Sequence, residues 1–277
     1  MVLINGESKE QIEVFDRGLQ YGDGLFETIV VKSGKPQFLD RHLQRLSADC
    51  SRLLIRPPDT KLLENEVVGL ANHADLAVIK IIVTRGVGGR GYRQPDVVNP
   101  TRIVSLHPFP DYPDTYQQQG IHVRFCSTRL GLNPALAGIK HLNRLEQVLA
   151  RAEWNDPAIQ EGIMLDIDGS VVEGTMTNLF FVKNESLYTA SLDKTGVAGI
   201  TRGIVLEQAI LHGIKIFEGR VSQDDLLSAD ELFVCNSVIG IWPVRQIEHQ
   251  QFSVGPLTRQ FQHWLEHFED KSVRNEQ

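Results

Sequence analysis

The chain has 277 residues, 42% of them hydrophobic, and its 35 acidic side chains against 28 basic ones give a formal net charge of −7. That balance, with no basic tail, argues against nucleic acid as a partner, because phosphate binding draws on a concentrated positive stripe. The most apolar stretch, residues 76–84, is broken by Lys80 and falls far short of the roughly 20 residues that span a bilayer.

The length predicts two domains with a sizeable core. MVLINGE at the start has neither a basic segment nor a long apolar run, so no secretory leader is expected. Cys50, Cys126 and Cys235 are widely spaced and form no CxxC pair. They read as reduced core residues of a cytoplasmic protein.

Short strands open the chain. Over residues 38–55, Leu39, Leu43, Leu46, Cys50, Leu53 and Leu54 recur at three and four, which predicts a helix stopped by Pro57 and Pro58. Residues 77–84 and 102–106 are β-branched and strand-like. Between them Gly86-Val87-Gly88-Gly89-Arg90-Gly91 matches GxGxxG, but Tyr92, Arg93, Pro95, Asn99 and Pro100 follow where a dinucleotide site needs a helix. A flexible loop carrying Arg90 is the expectation.

Residues 108–120 hold three prolines and three glutamines without apolar periodicity, as a linker would. Beyond them, 121–125 reads as a strand and 141–154 as a helix with Leu142, Leu145, Val148, Leu149 and Ala152 on one side. Residues 163–167 and 171–174 flank Asp168-Gly169, which predicts a hairpin with a type I′ turn. A strand at 178–182, a helix at 201–212 closed by Gly213 and a strand at 231–235 follow. The expected fold is mixed α/β in two domains: a smaller one at 1–109, a linker at 110–118, and a larger one at 119–277 that carries Lys140. His263-Trp264-Leu265-Glu266-His267 matches HxxEH, yet no third ligand is in view, and a polar helix with solvated histidines is expected there. No metal is expected.

The 28 basic residues comprise 18 Arg and only 10 Lys, so each lysine's setting is informative. Lys140 follows the mostly apolar Leu136-Ala137-Gly138-Ile139. An amine in a partly desolvated pocket loses its proton more easily and serves as an imine former or general base. Its bland alternative is a lysine that snorkels to water. Gly199-Ile200-Thr201 opens a helix whose first amides suit a phosphate. Glu173 lies on a strand, where an inward carboxylate needs a cationic partner. An amine, a phosphate seat and a lone carboxylate are what pyridoxal phosphate requires.

The runs AGIKHLNRLEQVLAR, VVEGTMTNLFFV, GVAGITRG and YGDGLFET resemble the fold-type IV pyridoxal-phosphate enzymes over essentially the whole chain. That group holds branched-chain and D-amino-acid aminotransferases and the lyase that acts on 4-amino-4-deoxychorismate in folate biosynthesis. GGRGY at 88–92 with IKHLNRLEQ at 139–147 looks most like the lyase, and an aminotransferase on the same fold is the alternative.

The resemblance implies that Lys140 forms the imine and acts as general base, and that Glu173 keeps the pyridine nitrogen protonated. It implies Arg45 on the cofactor phosphate, with Ile200, Thr201 and Asn236 or Ser237 completing the phosphate site. Arg144 stands where aminotransferases often have a tyrosine. Thr28 is the residue expected to assist the leaving group. For the small-molecule substrate's two carboxylates, the expected ligands are Arg90, Tyr92 beside it, and Arg102. A homodimer is also implied.

Overall fold

In the computed structural model, which describes residues 1–268, β-branched residues draw much of the first 110 residues into one antiparallel sheet. This first unit comprises Met1–Pro110 and Lys140–Asn143. Its strands and helices are β1 (Val2–Ile4), β2 (Glu7–Ser8), α1 (Arg17–Tyr21), β3 (Gly24–Lys32), β4 (Lys35–Pro36), α2 (Leu39–Arg52), α3 (Thr60–Ala71), β5 (Leu76–Thr84) and β6 (Thr101–Pro108). The sheet order is β2-β1-β6-β5-β3-β4. β3 and β5 pair along their full lengths, with Thr28 opposite Lys80. Ile29, Val31, Ile79, Ile81 and Val83 are buried, as are Leu43, Leu46 and Cys50 of α2 and Leu63, Val67 and Leu70 of α3.

α2 matches its expected periodicity. α3 has no counterpart in the sequence reading, because its apolar residues are not confined to one side: Leu62 and Val68 remain exposed. Its start is marked by Asp59, whose carboxylate accepts from the Leu62 amide at 2.8 Å.

The second unit comprises Asp111–Ile139 and the described chain from Arg144 onward. It contains α4 (Thr115–Gln119), β7 (Ile121–Leu130), α5 (Leu145–Arg151), β8 (Glu161–Asp166), β9 (Val171–Gly174), β10 (Asn178–Lys183), β11 (Ser186–Ala190), α6 (Ile200–Leu211), β12 (Ile216–Gly219), α7 (Gln223–Leu227), β13 (Glu231–Asn236), β14 (Gly240–Ile247), β15 (Gln250–Gln251) and α8 (Pro256–Glu266). The main sheet order is β12-β11-β10-β13-β14-β7-β8-β9. Period-two alternation along β10 and β13 splits the core. Leu179, Phe181, Leu232 and Val234 join one cluster with Trp242 and Val244. Phe180, Val182, Phe233 and Cys235 turn to the other, covered by Val205 and Ala209 of α6 and Phe261 of α8.

Several expectations are corrected. The stretch 110–118 is packed: Tyr112 and Tyr116 meet Trp242 edge-on, with centroids 4.9 and 5.1 Å away. The helix expected from residue 141 starts only at Leu145, and its apolar side, Leu145, Val148 and Leu149, is exposed. Lys140–Asn143, expected in the C-terminal domain, belongs by contact to the first unit. The β8–β9 hairpin forms, but of Asp168 and Gly169 only the glycine has positive φ (80°), and the Gly169 amide donates to the Asp166 carbonyl at 3.0 Å. The turn is therefore the four-residue turn Asp166–Gly169, whose last residue is a left-handed glycine beside a bulge, not type I′.

Candidate active site

Strand β3 sends alternate side chains to opposite faces. Glu27 turns toward α2, where His42 and Arg45, three positions apart, lie on one side of the helix. The His42 Nδ1 to Glu27 Oε2 distance is 2.6 Å, and the Arg45 guanidinium grips the same carboxylate through Nε at 2.7 Å and Nη2 at 2.5 Å. Glu27 and His42 are each 1% exposed, Arg45 12%. Burial pushes the Glu27 carboxyl upward, but the charges and hydrogen bonds of Arg45 and His42 outweigh it and hold the group at about 2. Burial pushes the His42 imidazole down, against the pull of Glu27. With Nδ1–H given to Glu27, a neutral His42 presents Nε2 as an acceptor. That buried nitrogen has no hydrogen-bond partner among the described residues.

Phe26 and Thr28 occupy the opposite face of β3. β4 pairs only with the end of this strand, and Lys140–Asn143 takes the edge nearer its start. The Phe26 amide donates to the Lys140 carbonyl at 3.0 Å, and the Leu142 amide to the Gly24 carbonyl at 2.9 Å. The Asn143 side chain donates to the Gly22 carbonyl at 3.1 Å. The backbone of Lys140 is thus fixed as a strand edge, and its Nζ lies 4.1 Å from the Phe26 ring centroid. Lys80 shares this face and brings a second ammonium to 5.3 Å from the same ring.

In the second unit Glu173 is 4% exposed on β9. Its Oε2 accepts from the Val197 amide at 2.8 Å and from Asn178 Nδ2 at 3.4 Å, while Asn178 Nδ2 also donates to the Val197 carbonyl at 2.9 Å. Burial lowers the proton affinity of the Arg144 guanidinium, and the Glu173 and Glu146 charges oppose that. At the start of α6, Gly199 has extended backbone and offers no side-chain cap, so the first amides of a 12-residue helix are left for another acceptor. A Cβ at position 199 would lie 2.1 Å from Asn178 Oδ1. Thr201 is buried.

Asn236 follows its expected strand, but its side chain serves its own turn: Oδ1 accepts from the Val238 and Ile239 amides at 2.8 and 2.9 Å, and Nδ2 donates to the Met176 carbonyl at 3.1 Å. Ser237 is half-buried beside it. Arg90 and Tyr92 are exposed on their loop. Arg102 faces α3, where Glu66 holds it at 2.7 to 3.0 Å. Its guanidinium is engaged by that carboxylate, which counts against a substrate role.

Sequence reasoning missed Glu27, His42, Lys80, Glu161 and Asn178. Glu161 is buried and accepts from the Thr175 hydroxyl, the Gly162 and Met176 amides and the Thr177 hydroxyl, which fixes the turn after Glu173. An isolated acidic residue inside an apolar strand pattern was the available signal for Glu27 and Glu161.

The residues present fit pyridoxal phosphate. Within the first unit a lysine amine lies over an aromatic ring, and the Arg45 guanidinium stands on α2 against Glu27. Within the second unit a buried carboxylate suits a protonated ring nitrogen, and an uncapped helix start suits an anion.

Residues 24–247 match the amino-transferase class IV family. The aminodeoxychorismate lyase of Vibrio harveyi is 38% identical over 95% of this chain and 98% of its own. Among solved structures, the 4-amino-4-deoxychorismate lyase of Pseudomonas aeruginosa is 47% identical with a TM-score of 0.93, covering 96% of this chain and 98% of that one. The branched-chain amino acid aminotransferase of Escherichia coli is 27% identical with a TM-score of 0.88, covering 98% and 97%.

Proposed function

The chain belongs to the amino-transferase class IV family, and from that premise we propose that it is a pyridoxal-phosphate lyase converting 4-amino-4-deoxychorismate into 4-aminobenzoate and pyruvate, a step of folate biosynthesis. The observation that carries this reading is the face of β3 that gathers Lys140, Lys80 and Thr28 around Phe26. An amine, a second cation and a hydroxyl meet the needs of a dicarboxylate that must lose one proton and have its leaving oxygen protonated. Among the solved structures compared above, the match to the Escherichia coli aminotransferase is weaker, 27% against 47% identity.

The bound cofactor supplies an electron sink at the carbon bearing the substrate's amine. Arg45 and the amides of Ile200 and Thr201 would hold its phosphate, with Ser237 and Asn236 as further candidate ligands. Glu173 would keep the ring nitrogen protonated, and its charge is felt at Arg144. Lys140 carries the cofactor and then, as a free amine, takes the proton from the ring carbon bearing nitrogen. The enolpyruvyl oxygen departs as the ring becomes aromatic, and Thr28 or the protonated Lys140 delivers the proton that completes pyruvate. Lys80 and Arg90 hold the carboxylates, with Tyr92 beside Arg90.

Two further features complete the proposal. Exposed apolar side chains on both units, Phe15, Leu19 and Val97 on one and Leu145, Val148 and Leu149 on the other, support a homodimer that covers them. Three free, buried cysteines support a cytoplasmic location. Among the described residues no helix is long and apolar enough to cross a membrane. The purified protein, given 4-amino-4-deoxychorismate, is expected to release 4-aminobenzoate and pyruvate in equal amounts. A Lys140→Ala variant that released them at the normal rate would overturn the mechanism.

A further inference from the structure

The glycine-rich segment 86–93 is bound along its length to α1 and the residues before it. The Arg17 amide donates to the Gly86 carbonyl at 2.9 Å, and the Gly88 amide to the Phe15 carbonyl at 3.4 Å. Val87 bridges to Asp16 in antiparallel fashion, and the Asp16 carboxylate in turn accepts from the Thr84 and Thr101 hydroxyls at 2.9 and 2.7 Å. The loop is thus tethered where a flexible one was expected.

The tethers converge on Gly91. Its amide donates to Tyr21 Oη at 3.1 Å, and its carbonyl accepts from Arg17 Nη1 at 3.0 Å. Its φ of +88° is one that L side chains rarely adopt, so glycine is required there. The first bond fixes the peptide joining Arg90 to Gly91, and the second fixes the peptide joining Gly91 to Tyr92. Arg17 is itself immobilised: it is 3% exposed, its Nε donates to Asp23 Oδ2 at 2.8 Å, and its guanidinium lies 4.8 Å from the Tyr21 ring centroid. A Cβ on Gly88 would lie 2.8 Å from Arg17 Cδ, so the loop's glycine also makes room for this side chain. Tyr92 meets Tyr21 edge-on at 5.7 Å. The main chain on both sides of Gly91 is held, while Arg90 is exposed.

We propose that Arg17 and Tyr21 are positioning residues for substrate selection: by clamping Gly91 at its amide and its carbonyl, they fix where Arg90 presents its guanidinium to a substrate carboxylate. The inference rests on the reading of Arg90 as a carboxylate ligand. A carboxylate fork placed in advance binds without the cost of ordering a loop. Neither residue touches the reacting atoms, so their loss alters substrate affinity and leaves the chemical step intact.

Tyr21→Phe tests this with the holoenzyme, because it keeps the ring and removes only the acceptor. The expected result is a KM raised about fivefold with kcat within about twofold, the scale of one lost hydrogen bond. Pyridoxal-phosphate affinity is expected to be unchanged, and trypsin cleavage after Arg90 and Arg93 faster. Arg17→Lys, which keeps a cation beside Asp23, is expected to act in the same direction. An Arg90→Gln variant raises KM, and adding Tyr21→Phe to it raises KM no further, since Tyr21 acts through Arg90. If Arg90→Gln raises KM while Tyr21→Phe changes neither KM nor cleavage, the positioning role is overturned. If Arg90→Gln leaves KM unchanged, the carboxylate reading of Arg90 fails instead, and the proposal falls with it.

Discussion

Lys140 owes its place to its backbone. Its carbonyl and the amide of Leu142 complete the edge of β3, and the side chain is thereby carried to Phe26. Apolar neighbours in sequence marked the lysine as unusual, but the partner strand, more than a hundred residues earlier, left no local trace. Glu27 and His42 were illegible for the same reason: each looks solvated alone, and only the pairing of β3 with α2 buries them together. Their titration makes a prediction. The Glu27 carboxyl is held at about 2, below its ordinary 4.5, so the stability it contributes is complete above about pH 4.5 and is lost as pH falls toward 2. His42 is depressed below its ordinary 6.5, so the unfolded chain binds its proton first and stability begins to fall as pH drops below 6.5. Thermal melts should show a two-stage acid decline, and His42→Asn should remove the upper stage. At Glu173 the replacement is Glu173→Gln, which should keep the bound cofactor's colour while turnover drops by about 100-fold, the scale of a lost preorganised charge. Unchanged turnover would count against the electron-sink role.

At the scale of elements, strongly periodic segments were legible and weakly patterned ones were not. α2 and α6 followed from apolar spacing and terminal signals. α3 escaped because its apolar residues spread around the helix. α5 was placed too early because Leu142 continues the spacing of Leu145 and Leu149, although Leu142 is a strand-edge residue. The helix start at Gly199 carries no side-chain cap, and two glycines of this segment should respond oppositely. Gly199→Ala would drive a Cβ into Asn178 Oδ1 at 2.1 Å. It should cost about 1–3 kcal/mol and weaken cofactor binding, since Asn178 also supports Glu173. Gly203, within the same helix, has nothing within 4 Å of an added Cβ. Gly203→Ala should stabilise by about 0.4–1 kcal/mol. Denaturant titration of both variants, with and without pyridoxal phosphate, checks the pair.

For the whole molecule, composition excluded much and specified little. The net charge of −7 conceals the fact that the proposed ligands are anions, so the positive charge that matters is local: Arg45, Lys80, Arg90 and Lys140. Even Arg45 is balanced by Glu27, which accepts from both its Nε and its Nη2. The cysteines are a separate check on the folded state. Burial pushes the thiols of Cys50, Cys126 and Cys235 up to about 12. All three should resist iodoacetamide at pH 8 in the native protein and react together on unfolding. Lyase and aminotransferase chemistry release different products, so the decisive measurement is competitive. Purified protein is incubated with 4-amino-4-deoxychorismate, a branched-chain or D-amino acid and 2-oxoglutarate in one mixture. The account predicts 4-aminobenzoate and pyruvate in equal amounts, with glutamate formation slow or absent. Rapid glutamate formation without 4-aminobenzoate would contradict it.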